Sequence, residues 1–110
     1  MVISGEDFFK VDIHVGRIIS VEDFPKAKKP AFKLTIDFGS ELGIKRSSAQ
    51  ITELYTQQDL LNKVILAVTN FPPKQIADFI SEVLVLGVVT EKGVVLLSIA
   101  QEVPLGSKVS

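Results

Sequence analysis

The chain has 110 residues, 46% of them hydrophobic, with 12 basic and 13 acidic side chains and a formal net charge of −1. This length argues for one domain over residues 1–110, the composition for a folded chain, and the charge balance against strong nonspecific nucleic-acid binding. There is no cysteine and one histidine, His14, so disulfides, thiol nucleophiles and thiolate metal sites are excluded, and no metal site is expected.

A domain of this size buries roughly 65% of its unfolded surface, enough for one thin core. The high apolar share therefore predicts that some apolar surface is shared with a second subunit. No apolar run approaches ~18 residues. The start, MVISGEDFFK, carries acids where a signal peptide carries bases. The expected location is the cytoplasm.

In chain order, Ser4 to Lys10 predicts one helical turn, capped by Ser4 with Asp7 three residues on. Ile13 to Val21 is rich in β-branched residues and predicts a long strand, with a bulge or bend at Gly16. Phe24 to Pro30 is a loop between prolines. Phe32 to Phe38 alternates apolar and polar, a half-buried strand with Phe32, Leu34, Ile36 and Phe38 inward. Gly39 to Gly43 is a turn, and Ile44 to Ser48 a third strand. Gln50 to Asn62 is the one helix-like segment. Val64 to Val68 is a strand buried on both sides, and Val83 to Val89 is another. Gly93 turns the chain into Val94 to Ile99, and the tail from Gln101 is irregular.

The pattern is all-β with small α content. Five strands with a short helix between the third and fourth match a Greek-key oligonucleotide/oligosaccharide-binding (OB) barrel. An SH3-like barrel or a small sandwich fits the same pattern.

No grouping suggests catalysis. His14 has no acid or serine at triad spacing, the carboxylates are scattered, and Gly39 to Gly43 lacks the lysine and helix of a phosphate loop. The expected role is binding, without catalysis or cofactor. The densest cationic cluster is Lys26, Lys28 and Lys29, followed by Lys33 and extendable through Lys45, Arg46 and Lys74. It reads as a solvated loop or as a phosphate-contacting loop beside an OB face. The segment Asn70 to Gly87 contributes the polar groups Asn70, Lys74 and Ser81 at a stiff Pro72-Pro73 corner. Phe71, Phe79, Ile76 and Ile80 form an apolar rim beside them. Ser47, Ser48 and Gln50 close the third strand.

These residues resemble a known family. Asp12-Ile13-x-Val15-Gly16-x-Ile18, Val21-Glu22 to Pro25-x-Ala27, and Asn70-Phe71-x-Pro73-Lys74 with Ser81-Glu82 are similar to the tRNA-binding domain family. FPKAKKPAFKLTIDFG, GIKRSSAQIT, NFPPKQIADF and SEVLVLG resemble most its branch of secretion-associated chaperones. The resemblance runs from about Asp7 to Val109. It implies an OB barrel and a homodimer built from extensions at 1–11 and 99–110, through Phe8, Phe9, Val11, Val103, Leu105 and Val109. It implies a ligand site of Asn70, Lys74 and Ser81, with Ser47, Ser48 and Gln50 alongside. It also implies one of two partners: unfolded or precursor polypeptides, bound without ATP in connection with the export machinery, or tRNA.

Two positions depart from the family's tRNA-binding corner. Asp78 brings a negative charge and Ile80 removes a positive one; each lost phosphate contact flattens the salt dependence by about one unit of slope. The expectation therefore tilts towards an extended polypeptide, with Asp78 and Glu82 favouring a basic one.

Overall fold

The computed structural model describes residues 1–110. It contains α1 (Gly5–Phe9), β1 (Ile13–Asp23), β2 (Phe32–Asp37), α2 (Gly39–Leu42), β3 (Ile44–Ala49) and α3 (Gln57–Leu60). There follow β4 (Val64–Val68), β5 (Lys74–Ile76), β6 (Phe79–Ser81), β7 (Leu84–Val85), β8 (Gly87–Thr90) and β9 (Gly93–Leu96).

Five strands form one antiparallel sheet in the order β3-β2-β1-β4-β7. It curls into a nearly closed barrel of the OB type. The alternation in Phe32 to Phe38 is obeyed: Phe32, Leu34, Ile36 and Phe38 are all buried. They meet Ile18, Ile65, Ala67, Leu60 and Val83 in the barrel core. Gly16 is needed for close approach, since a Cβ there would lie 2.6 Å from Ile36 and 2.7 Å from Phe38. The irregularity that bends β1 is not at Gly16, however. It falls between Ile18 and Ser20, opposite β2. Gly16 stays in register with Ile65 of β4, so its role is to let side chains pack, not to kink the strand.

The barrel closes through a seam between β3 and the chain leaving β6. Glu82 donates its N–H to the Arg46 carbonyl at 2.8 Å, and the Glu82 carboxylate accepts from Arg46 N–H at 3.0 Å. Ser48 N–H donates to Ser81 Oγ at 3.0 Å, and Ser47 Oγ donates to the Val83 carbonyl at 3.0 Å. Side chains here substitute for a missing ladder, which satisfies buried backbone groups that would otherwise cost free energy.

Several expectations are corrected. Gln50 to Asn62 is not one helix. Only Gln57–Leu60 is helical, started by Thr56 and Asp59 in a reciprocal capping box. Leu60 is its single buried residue, and one turn suffices to plug the barrel end. Gly39–Leu42 adds a second short helix where a turn was expected. The Pro72-Pro73 corner leads into a small hairpin, β5–β6, with Ala77 at φ 54° at its tip. Val83 to Val89 splits: β7 pairs with β4, while β8 pairs with β9. The Ser4–Asp7 capping box of α1 forms as expected.

The C-terminal tail lies against β1, and the N-terminal segment is tied to Thr69 and Asn70 just beyond β4. The tail is irregular but docked: Val109 N–H donates to Ile13 (2.9 Å), Val15 N–H to Ser107 (3.0 Å), and Gly106 N–H to Val15 (2.8 Å). Lys108 pairs with Asp12 at 3.1 Å. No helix is long and apolar enough to cross a membrane.

Candidate binding groove and cationic face

A groove of about 700 Å³ opens between the end of β3, the β5–β6 hairpin and the β7–β8 segment. Ala49, Ile51, Ile76, Val83, Val85 and Val89 supply much of its apolar lining, and Ser48, Gln50, Phe71, Lys74 and Ser81 contribute to its walls. Five of the expected ligand residues are thus brought together. Lys74 lies on β5, directly across from Ser81 on β6. Ser81 reaches back to Ser48. Phe71 is half exposed beside Pro72. The proline pair stiffens this wall and removes two backbone donors from it.

The other candidates lie elsewhere. Ser47 is fully buried, and its single hydroxyl proton is shared between the Val83 and Ser48 carbonyls at 3.0 and 3.1 Å; it holds the seam and has no face to offer a ligand. Asn70 is spent on the N-terminal segment: its Oδ1 accepts from Asp12 N–H at 2.9 Å and its Nδ2 donates to the Lys10 carbonyl at 2.7 Å. Phe79 is 3% exposed. It packs edge-on to Phe24 at 5.4 Å between centroids, with Ala31 completing a second small core. It cannot serve as an exposed stacking platform. Strand alternation divides the rim expected from Ile76, Phe79 and Ile80: Ile76 and Phe79, opposite each other across the hairpin, share the inward face, where Ile76 packs on the small core and borders the groove, while Ile80 faces solvent.

The lysine loop also stands apart from the groove. Lys28 and Lys29 are exposed, but Lys26 is held by Asp78 at 2.7 Å. The hydrogen bond to Lys26 lowers the Asp78 carboxyl below its usual value, and the bond to Asp78 raises Lys26 above its own. Asp78 is therefore not a free negative charge that would favour a basic peptide. The sequence shows an uninterrupted lysine run because its acid comes from 52 residues away. Two further cations complete this region. The Arg46 guanidinium sits 4.4 Å from the Phe79 ring, and Lys33 Nζ lies 5.5 Å from the Phe24 ring and 5.9 Å from Phe79. In the sequence both cations read only as extensions of the lysine loop. Their anchoring on aromatic rings was invisible, because Phe24 and Phe79 are far apart in the chain. The molecule thus carries an apolar groove and, outside its lining, the cations Lys28, Lys29, Lys33 and Arg46, of which Arg46 also pairs with Glu22 at 3.9 Å.

Of the expected interface residues, Phe8 and Phe9 lie on α1, Val11 just after it, and Val103, Leu105 and Val109 on the C-terminal tail. Phe8 and Phe9 are exposed and stack edge-on at 5.6 Å. Val103 is exposed, while Val11, Leu105 and Val109 are half-buried. No group of three or more His, Asp or Glu side chains is placed to hold a metal ion.

A barrel of this topology with a docked tail defines a class, and the chain belongs to the family described as a putative tRNA-binding domain, whose model matches residues 13–108. The molecule is similar in structure to the CsaA chaperone protein of Picrophilus torridus, at 56% identity and a TM-score of 0.94, over 99% of this chain and 100% of that one. It is also similar to the chaperone CsaA of Bacillus anthracis str. Ames, at 50% identity and a TM-score of 0.92, with all of both chains covered. Methionine–tRNA ligase of Pyrococcus horikoshii is 36% identical over 104 residues, covering 94% of this chain and 14% of that protein. The chain thus spans about a seventh of the length of the ligases it matches. The resemblance drawn from the sequence motifs holds, both for the family and for its chaperone branch.

Proposed function

We propose that this protein is a non-catalytic chaperone that binds unfolded or precursor polypeptides in connection with export, without ATP. The single observation that carries this reading is the apolar groove, which gathers Phe71, Ile76, Val83, Val85 and Val89 beside the hydrogen-bonding Ser48, Gln50 and Ser81. A groove of this kind takes an extended, partly hydrophobic chain. Likeness to two CsaA chaperones over whole chains supports it. Two molecules joined through α1 and the tail, using Phe8, Phe9, Val11, Val103, Leu105 and Val109, would place two grooves on one particle, and avidity then compensates for weak single sites. In this reading residues 1–110 form one domain acting in the cytoplasm.

The test is light scattering of a chemically unfolded protein diluted into buffer without nucleotide. Equimolar addition of this protein suppresses the scattering. The Leu84→Asp variant, which puts a charge in the groove from an exposed position, loses that suppression while its circular dichroism is unchanged. Equal scattering with and without the wild-type protein rejects the chaperone reading.

A second reading rests on a different surface: Lys28, Lys29, Lys33 and Arg46 suit a phosphate backbone, and the family model is that of a tRNA-binding domain. Here the protein would recognise tRNA shape through the OB face. Retardation of total tRNA in a low-salt gel, with a log–log salt slope of roughly −2 to −4, supports it. No retardation at micromolar protein rejects it.

A further inference from the structure

The segment from Leu84 to Thr90 uses one of its edges twice and the other not at all. Leu86 donates its N–H to the Leu66 carbonyl at 2.9 Å, and its carbonyl accepts from Leu97 N–H at 3.1 Å. Residues of an antiparallel pair alternate between those that bond the neighbour and those whose N–H and C=O point away from it. With Ala67 opposite Val85, Leu84 and Leu86 are the residues that face β4. With Gly87 opposite Leu96 and Val89 opposite Val94, Leu86, Val88 and Thr90 face β9. The edge passes from β4 to β9 at Leu86 without interruption. The N–H and C=O groups of Val85, Gly87 and Val89 are left pointing the other way. No sheet partner lies on that side, and no hydrogen bond from the rest of the molecule reaches them.

Val85, Gly87 and Val89 are also residues of the groove. An unpaired strand edge therefore runs along an apolar trough. Such an edge is a template for another strand.

We propose that Val85–Val89 is a docking strand, and that an extended polypeptide segment binds by adding to it as a new antiparallel or parallel strand. This rests on the polypeptide-binding reading and deepens it. Main-chain pairing explains how one site takes clients of differing sequence, since every residue but proline brings the same donor and acceptor. Five residues of strand span about 17 Å. Every second side chain of the added segment enters the trough, so alternating aliphatic residues fit it best. Charge narrows the occupant further. Lys74 forms no ion pair, whereas Glu82 has a carboxylate oxygen engaged by Arg46 N–H. The segment suited to this edge is apolar in alternation and carries an acidic residue that reaches Lys74.

The experiment uses the unmodified protein and a fluorescein-labelled heptapeptide of alternating valine and threonine with one terminal glutamate. Anisotropy gives a saturable curve. N-methylation of alternate amides in one register weakens binding at least about tenfold, while methylation in the other register leaves it within about twofold. In the same complex, amide exchange of Val85, Gly87 and Val89 slows on saturation, and that of Leu86 and Val88 does not change. Equal tolerance of both methylated registers overturns strand addition. So does slowing of these amides with rising protein concentration and no peptide, which is the signature of a second copy. If the heptapeptide does not bind but aggregation is still suppressed, strand addition falls and the chaperone reading stands. If neither occurs, both fall.

Discussion

The barrel core and the small core under the hairpin are built from the same residue types and differ in what specifies them. In the barrel, Leu34 and Ile36 come from one alternating strand paired on both sides, and Phe38, buried with them, continues the alternation just beyond its end. Under the hairpin, Phe24 comes from the end of a strand, Ala31 from beside a proline and Phe79 from a three-residue strand. Only the long-range fold brings these three together. The barrel core is held by contiguous ladders. The hairpin core is held by one aromatic contact, two cations over the rings and one ion pair. Ser81 at the base of the hairpin is also tied to Ser48 of the seam, so it is the tip around Ala77 and Asp78 that can open while the barrel stays closed, and the hairpin forms one wall of the groove.

The largest expected effect tests the barrel side of this contrast. Leu34→Ala removes a fully buried side chain from the centre of the core and should cost about 3 kcal/mol of global stability. Urea denaturation measures it as a lower midpoint with unchanged slope. Phe79→Ala should behave differently. Opening of β5–β6 caps its cost, so the global midpoint falls by less than about half the Leu34→Ala shift, while amide exchange in the hairpin accelerates strongly. Equal midpoint shifts for the two variants would merge the two cores into one cooperative unit.

The seam between the regions gives the next effect down. Ser47→Ala deletes the hydroxyl that donates to the Val83 carbonyl and leaves that buried acceptor unpaired, a loss of about 1–2 kcal/mol. Because the seam closes the barrel beside the groove, the variant should also raise exchange at Glu82, whose N–H bonds Arg46. A silent Ser47→Ala in both measurements would mean that the β3 seam closes without it.

The contrast also explains what could be read from the chain. Alternation in Phe32 to Phe38 gave that strand and its inward face, because period and burial agree there; the apolar run Val64 to Val68 gave a strand but not its burial, since Ile65, Ala67 and Val68 are buried while Val64 and Leu66 are half-buried instead of enclosed on both sides. The capping box at Ser4 was legible for a similar reason, being local chemistry. The helix expected over Gln50 to Asn62 failed, since Thr56 with Asp59 starts a new turn inside it. At the site, residue types were legible but their roles were not. Ser47, Ser48 and Ser81 looked alike as polar groups near a corner; only the seam assigns Ser47 to the interior and leaves Ser48 and Ser81 on the groove. Asn70 looked like a ligand contact, and its partners Asp12 and Lys10 lie 58 and 60 residues away. The free edge of Val85, Gly87 and Val89 was hidden because the apolar run Val83 to Val89 shows no period that says where one partner strand hands over to the next.

The smallest effect is the Lys26–Asp78 pair, which ties the lysine loop to the hairpin tip. Both groups are exposed, so the global contribution is small and screened by salt. Its pH dependence follows from the two shifts. Asp78 has its folded value lowered by Lys26 from an ordinary 3.8; its stabilisation is present above that ordinary value and is lost as pH falls through the lowered one. Lys26 has its folded value raised by Asp78 from an ordinary 10.5; its stabilisation is complete below that value and is lost as pH rises through the raised one. Between these limits the latch is closed. Asp78→Asn should therefore accelerate hairpin amide exchange at pH 7, relative to the unchanged protein, and the two should converge as pH falls through the lowered Asp78 value. High salt should shrink the difference at pH 7, because an exposed pair is screened. If Asp78→Asn leaves hairpin exchange unchanged at pH 7 and low salt, the hairpin is held without the latch, by the Phe24–Phe79 contact, the cations over it and the Ser48–Ser81 bond.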